Sequence, residues 1–397
     1  MAEEYVIVRV RRAPQGARRG PVLISRSAQA QADSLDVSVV TSPQALAHAQ
    51  TDPDVKATAR SMPMKLIAPV SIKAIAIEPA ASAPTTKIAW GVHAVGADTS
   101  PFDGANVVVA VLDTGIDRKH PAFKGVELIE KNFTGDGDGD VNGHGTHCAG
   151  TIFGRDVDGV RIGIARGVTK ALIGKVIGND GGSSAKIASA IHWAIENNAN
   201  VISMSLGIDF PGYQADLQRG GLRPEPATSL ALEGYRQNLA VFDSISELVT
   251  TLGRFHDPCL LIAAAGNESR RQEAPPFEIA ASPPAVSEGF VSVAALQEGA
   301  QGFAVAAFSN TGAKVSGPGV DVISAKVGGG LVSMDGTSMA TPHVAGVAAL
   351  WAQKLKQQGR FTASQFSAEL LASATRSPLD PASTVEAVGA GIIRTPQ

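Results

Sequence analysis

The chain has two cysteines, few aromatic residues (5%) and no excess of positive charge. Two cysteines close one bridge at most, which rules out a disulfide framework; free thiols buried at Cys148 and Cys259 are the expectation. The 34 Lys+Arg against 37 Asp+Glu leave a formal net charge of -3. General nucleic-acid binding needs clustered positive charge to displace counterions, so a nucleic-acid partner is not expected. No apolar run reaches the roughly 18 residues of a membrane span, so no membrane role is expected either. The N-terminus runs acids, a short apolar patch, then arginines. It lacks the positive start and apolar stretch of a secretory signal, so the expected location is cytoplasmic. With aromatics scarce, the core must rest on Ala, Val, Ile and Leu, and 44% hydrophobic residues are enough to build a sizeable one. The plentiful residues are Gly (42) and Pro (23), which imply many tight turns.

Residues 1–87 differ from the rest of the chain. Strands are expected at 5–10 and 35–40, with a loop over 11–32 between them. A helix is expected over 43–50, with Ser42 as its N-cap and Pro43 in its first turn. Residues 52–54 form a turn, 55–77 hold one or two strands, and 79–87 have the composition of a linker. From residue 88 the pattern changes. Continuous apolar runs at 107–112, 172–177, 201–206, 260–265 and 290–295 look like buried parallel strands. Helical patterns lie between them, one marked by Ile187, Ile191, Ala194 and Ile195. The expected fold is therefore α/β, a mainly parallel central sheet with helices on both faces, plus a small α+β N-terminal segment. An insertion at about 210–258 interrupts the alternation. It reads as a Gly/Pro-rich loop followed by a helix over 227–252.

Four segments carry chemistry: VAVLDTGID (109–117), NGHGTHCAG (142–150), AAAGNE (263–268) and DGTSMATPHVAG (335–346). Serine is a weak nucleophile that needs a base within hydrogen-bond reach. Histidine is that base, and a carboxylate must hold its tautomer and stabilise the imidazolium. Asp113 ends a buried strand, at the carboxyl edge where open α/β sheets place functional groups. His144 lies between glycines that let the backbone pack closely. Ser338 opens an apolar helical pattern whose N-terminal amides favour developing negative charge. Asn267 follows a strand and a glycine, so its amide is placed to face a cleft. His120, His147, His192, His256 and His343 read as packing or hydrogen-bonding residues, Asp117 as a turn acid and Cys148 as a buried apolar residue. The acids Asp136, Asp138 and Asp140 alternate with glycine, a pattern that suits either a calcium-binding loop or a plain acidic turn.

These segments resemble the subtilisin-like serine proteases, and NGHGTHCAG is most similar to the proteinase K branch. The resemblance runs from about residue 88 to 393, including a late VGAGI (388–392). It implies a serine endopeptidase with Asp113, His144 and Ser338 as triad and Asn267 as oxyanion donor. Chain order Asp, His, Ser agrees. It also implies two backbone-pairing walls for an extended peptide, Gly181-Gly182-Ser183 and Ser205-Leu206-Gly207. Broad specificity with an apolar or aromatic preference before the scissile bond follows, although Glu268 at the rim also suits a basic residue there. No cofactor is needed for the chemistry, and calcium would be structural only. Family members often hold calcium with acids at positions where this chain has Ala122 and Lys314, so those two sites are not expected. The partners implied are polypeptide substrates and, within the chain, an N-terminal segment that is either an inhibitor whose tail lies in the cleft and is cut within 78–87 or an accessory segment that stays attached. The alternatives are a non-catalytic peptide-binding relative and an esterase using the same triad. The insertion would cover the primary pocket, pack on the body or meet a partner.

Overall fold

The computed structural model describes residues 4–11, 34–75, 87–253 and 257–397. Strand Val108–Asp113 is the keystone of the large sheet, paired in parallel with Lys170–Lys175 on one side and Val201–Met204 on the other. Beyond these lie Glu127–Asn132 at one edge, then Leu260–Ala264 and Phe290–Gln297 toward the other. Val315–Pro318 adds in parallel and Ala304–Val305 antiparallel to Phe290–Gln297, giving eight strands among the described residues.

The continuous apolar run of the keystone strand serves two cores, because side chains alternate across a sheet. Val109 and Val111 enter the core under helices His144–Phe153 and Thr337–Gln357. Ala110 and Leu112 enter the opposite core, against helices Ser184–Glu196 and Pro224–Leu252. Asp113 follows in the register of Val109 and Val111, which directs its carboxylate to the side of the helix that begins at His144. The expected run 201–206 is two strands. Val201–Met204 stays in the sheet, while Leu206–Ile208 turns out of it after Ser205 and pairs elsewhere.

The N-terminal strand Tyr5–Arg11 sits between Ser34–Val40 and Val55–Arg60, antiparallel to both. Helix Pro43–Thr51 follows as expected, with the Ser42 side chain accepting from the Ala45 amide. Its expected loop at 11–32 and linker at 79–87 lie almost wholly outside the described residues. Two further strands, Pro63–Leu66 and Ser71–Ala74, leave this sheet and run over the main body. Val6, Val8, Leu35 and Ala59 share a core with helices Ser184–Glu196 and Pro224–Leu252.

The insertion departs from its expected form. Its first part is helical, Phe210–Arg219, because Asp209 caps it and Pro211 and Gly212 fall in the first turn, where neither breaks a helix. In the longer helix the front half is buried through Ala227, Ala231, Gly234 and Asn238, not through Leu230 and Tyr235. Small residues there let the N-terminal sheet approach: a side chain at Gly234 would crowd Met62. Asn238 Nδ2 donates to the Arg60 carbonyl at 2.8 Å, and Gln237 Oε1 accepts from the Arg60 amide at 3.2 Å. The insertion thus seats the chain's own N-terminal sheet.

Candidate active site

His144 Nδ1 lies 2.8 Å from Asp113 Oδ1, with both side chains at most 2% exposed. The helix that carries His144 can approach the sheet edge only because position 145 is glycine; a Cβ there would run into the Gly115 carbonyl. Asp140 braces the same corner. It accepts from Thr114 Oγ1 and the amides of Asn142 and Gly143, and its other oxygen accepts from the amide and hydroxyl of Thr146. Burial opposes a charged His144, but the adjacent Asp113 carboxylate and Cys148 sulfur together outweigh it, and the pKa is raised well above the ordinary 6.5. Cys148 Sγ lies 3.8 Å from His144 Nδ1, and burial pushes its thiol pKa up. Both cysteines are free, Cys148 buried and Cys259 half-buried.

Ser338 is fully buried in the first turn of helix Thr337–Gln357. Its hydroxyl donates to the Ile67 carbonyl at 2.6 Å, while His144 Nε2 has no hydrogen-bond partner among the described residues. Asn267 Oδ1 accepts from the amide and hydroxyl of Thr337, at 2.9 and 2.8 Å. That fixes the amide so that Nδ2 faces the cleft, where it donates to the Ala68 carbonyl at 2.9 Å. Thr337 and Asp140 are positioning residues that the sequence reading missed. Each lies inside or beside a recognised motif, so a polar residue flanking a reactive one was the available signal.

The cleft between the two expected walls holds the chain's own strand Pro63–Leu66. Gly182 and Ser183 pair with Met64 and Pro63 on one side; Leu206, Gly207 and Ile208 pair with Leu66, Lys65 and Met64 on the other. Ser205 gives its carbonyl to the Ile67 amide at 3.1 Å, and Gly181 abuts the Met64 carbonyl. Ile67 is buried, with Cδ1 facing Gly207. The chain continues unbroken past Ser338: the Val70 amide donates to the Asp335 carbonyl and Ser71–Ala74 pairs with Leu331–Asp335. The stretch in the cleft is therefore 63–68, upstream of the expected 78–87, most of which lies outside the described residues. Glu268 also departs from expectation, since it meets Lys65 and not the side chain at Ile67.

Of the two readings of the acidic loop, the geometry is that of a plain turn. Asp136 Oδ2 accepts from the Asn179 amide, Asp138 Oδ1 from Asn132 Nδ2, and Asp140 is consumed by the bracing just described. The Lys175 ammonium instead takes the loop's carbonyls, Gly137 at 2.7 Å and Gly139 at 2.9 Å. With these carbonyls and carboxylates engaged separately, the three acids do not converge on one point. Lys314 bonds the Phe290 carbonyl in the same manner. Among the described residues the one acid/His/Cys group close enough to share an ion is Asp113, His144 and Cys148, the buried Asp–His pair with its neighbouring thiol.

The remaining histidines are structural as read, save His256, which lies outside the described residues. His147 Nε2 meets the Val322 carbonyl and His343 Nδ1 the Met339 carbonyl; burial lowers their pKa values to about 3 and about 4. His120 bonds the Gly330 carbonyl and His192 pairs with Glu196. Asp117 accepts from the amides of Lys119 and Gly328.

A buried Asp–His pair, a helix-borne serine and an aimed Asn amide at the carboxyl edge of a parallel sheet are the parts that acyl transfer on an α/β scaffold requires. Residues 104–391 match the subtilase family, and the chain belongs to that family. It is 34% identical to subtilisin-like protease 1 of Trichophyton equinum over 279 residues, 66% of this chain and 45% of the relative. It is also 34% identical to the thermostable alkaline protease of Halalkalibacterium halodurans over 271 residues, 66% of this chain and 62% of the relative. The chain thus spans about half the length of the curated relatives it matches.

Proposed function

We propose that the protein is a serine endopeptidase whose cleft is covered by its own N-terminal segment. The observation that carries this reading is the backbone-paired strand Pro63–Leu66, which lays an extended peptide between both walls and delivers the Ile67 carbonyl to Ser338. A site that grips backbone on both sides suits polypeptides more than small esters.

In turnover, Ser338 Oγ attacks the carbonyl of a peptide seated like Ile67. His144 Nε2 takes the hydroxyl proton and later gives it to the leaving amine. Asp113 holds the tautomer and stabilises the imidazolium. The tetrahedral oxyanion is met by Asn267 Nδ2 and the Ser338 amide; removing one such donor costs about 100–1,000-fold in rate. Water then hydrolyses the acyl-enzyme by the same proton path. The chemistry is carried by side chains, and no metal step is needed.

In the covered state these parts are out of phase. Ser338 donates to Ile67 and not to His144, while Asn267 holds the next carbonyl, that of Ala68. The segment therefore acts as an inhibitor, and its release or self-cleavage gives the active enzyme. The apolar Ile67 favours an apolar residue at the attacked position. The test is incubation of wild type and Ser338→Ala with casein and with a small ester. Casein hydrolysis by wild type alone supports the proposal. Ester-only turnover would make it an esterase, and peptide binding without turnover a non-catalytic relative.

A further inference from the structure

Side chains alternate along the strand in the cleft. Met64 is buried and Leu66 half-buried, while Lys65 between them reaches out to two acids from separate loops of the body. Its Nζ lies 3.3 Å from Asp209 Oδ1 and 3.5 Å from Glu268 Oε1. Asp209 directly follows the wall strand Leu206–Ile208 and Glu268 directly follows the oxyanion residue Asn267. The body fixes both acids independently of Lys65. Asp209 caps helix Phe210–Arg219. Glu268 Oε2 accepts from Asn310 Nδ2 at 2.7 Å, and Asn310 Oδ1 in turn accepts from the Glu268 amide. The two carboxylates thus stand ready where any peptide paired like residues 63–67 places the side chain two positions before the attacked residue.

We propose that Asp209 and Glu268 form an acidic subsite that selects Lys or Arg at that position of a substrate. The proposal rests on the endopeptidase reading, and it adds a charge preference to a cleft whose other contacts are apolar or backbone. All three groups are about a third to a half exposed, so each pair is weak and salt-screened. Two weak pairs together amount to roughly a three- to thirtyfold preference over a neutral residue. A glutamate there meets two like charges and is disfavoured.

Two measurements on the full-length protein test this. The first is kcat/KM on three peptides differing only at that position. The expected order is Lys above Ala above Glu at low salt, with the Lys-to-Glu ratio collapsing toward one in Asp209→Asn/Glu268→Gln. Equal values for the three peptides would overturn the subsite. Cleavage of none would overturn the endopeptidase reading, and the second measurement then decides the subsite without turnover. In Ser338→Ala protein, Lys65→Glu should speed amide exchange at residues 64–66 several-fold relative to Lys65→Arg. The difference should vanish in the Asp209→Asn/Glu268→Gln background. Identical exchange in Lys65→Glu and Lys65→Arg overturns the proposal.

Discussion

In the proposed mechanism His144 is the base, and it must lose a proton before it can work. Its pKa is raised by Asp113, so the neutral, working form accumulates only on the alkaline side of the ordinary value. The acid limb of the kcat/KM profile should therefore lie above pH 6.5. Asp113→Asn removes the charge that raises the pKa and leaves the wrong tautomer. It should shift that limb downward and cost about 10,000-fold in kcat. A pH–rate profile of both proteins checks this, and a limb below the ordinary histidine value in wild type would contradict the raised base. The residues that make up this pair, and Ser338 and Asn267 with them, were legible because each reactive group sits in a distinctive run. Their supports, Asp140 and Thr337, were legible only as polar residues beside reactive ones, because neither shows which groups it will bond until the chain is folded. The same limit explains the acidic loop: alternating Asp and Gly do not disclose that Lys175, far away in sequence, brings its own cation.

At the scale of elements, the buried strands were legible from continuous apolar runs, since a parallel strand covered on both faces has no polar side to show. The insertion was harder to read. Pro211 and Gly212 resemble loop residues unless Asp209 is recognised as a cap, and the buried stripe Ala227, Ala231, Gly234 and Asn238 is nearly silent in a hydrophobic pattern. What it faces, a sheet from the start of the chain, is a long-range contact that periodicity cannot report. The placement of helix His144–Phe153 against the keystone strand rests on a close approach at Gly145. Gly145→Ala forces the helix off the Gly115 carbonyl and should destabilise the fold by about 1–3 kcal/mol, as overpacking does. Its melting temperature, measured in a Ser338→Ala background to prevent self-digestion, should fall by several degrees, and an unchanged value would contradict the packing described.

Over the whole molecule, two buried neutral histidines tie stability to pH. His147 and His343 have pKa values lowered by burial to about 3 and about 4, against 6.5 when exposed. The unfolded chain takes up protons that the folded chain refuses. Stability from these groups is present above pH 6.5 and is lost as pH falls toward 4 and then 3. The melting temperature of Ser338→Ala should decline through that window, and less steeply in His147→Gln; equal slopes would remove His147 from the explanation. The molecule joins a subtilase body to an N-terminal sheet whose exit strands run through the cleft and past Ser338. The central claim is that Ser338 attacks acyl groups delivered there. It is tested most directly by acid-quenching the wild-type protein during turnover of an activated peptidyl ester and mapping the modified peptide by mass spectrometry. The account predicts one acyl group, on Ser338, absent from Ser338→Ala. Turnover with no adduct at Ser338, or with the adduct on another residue, would contradict it.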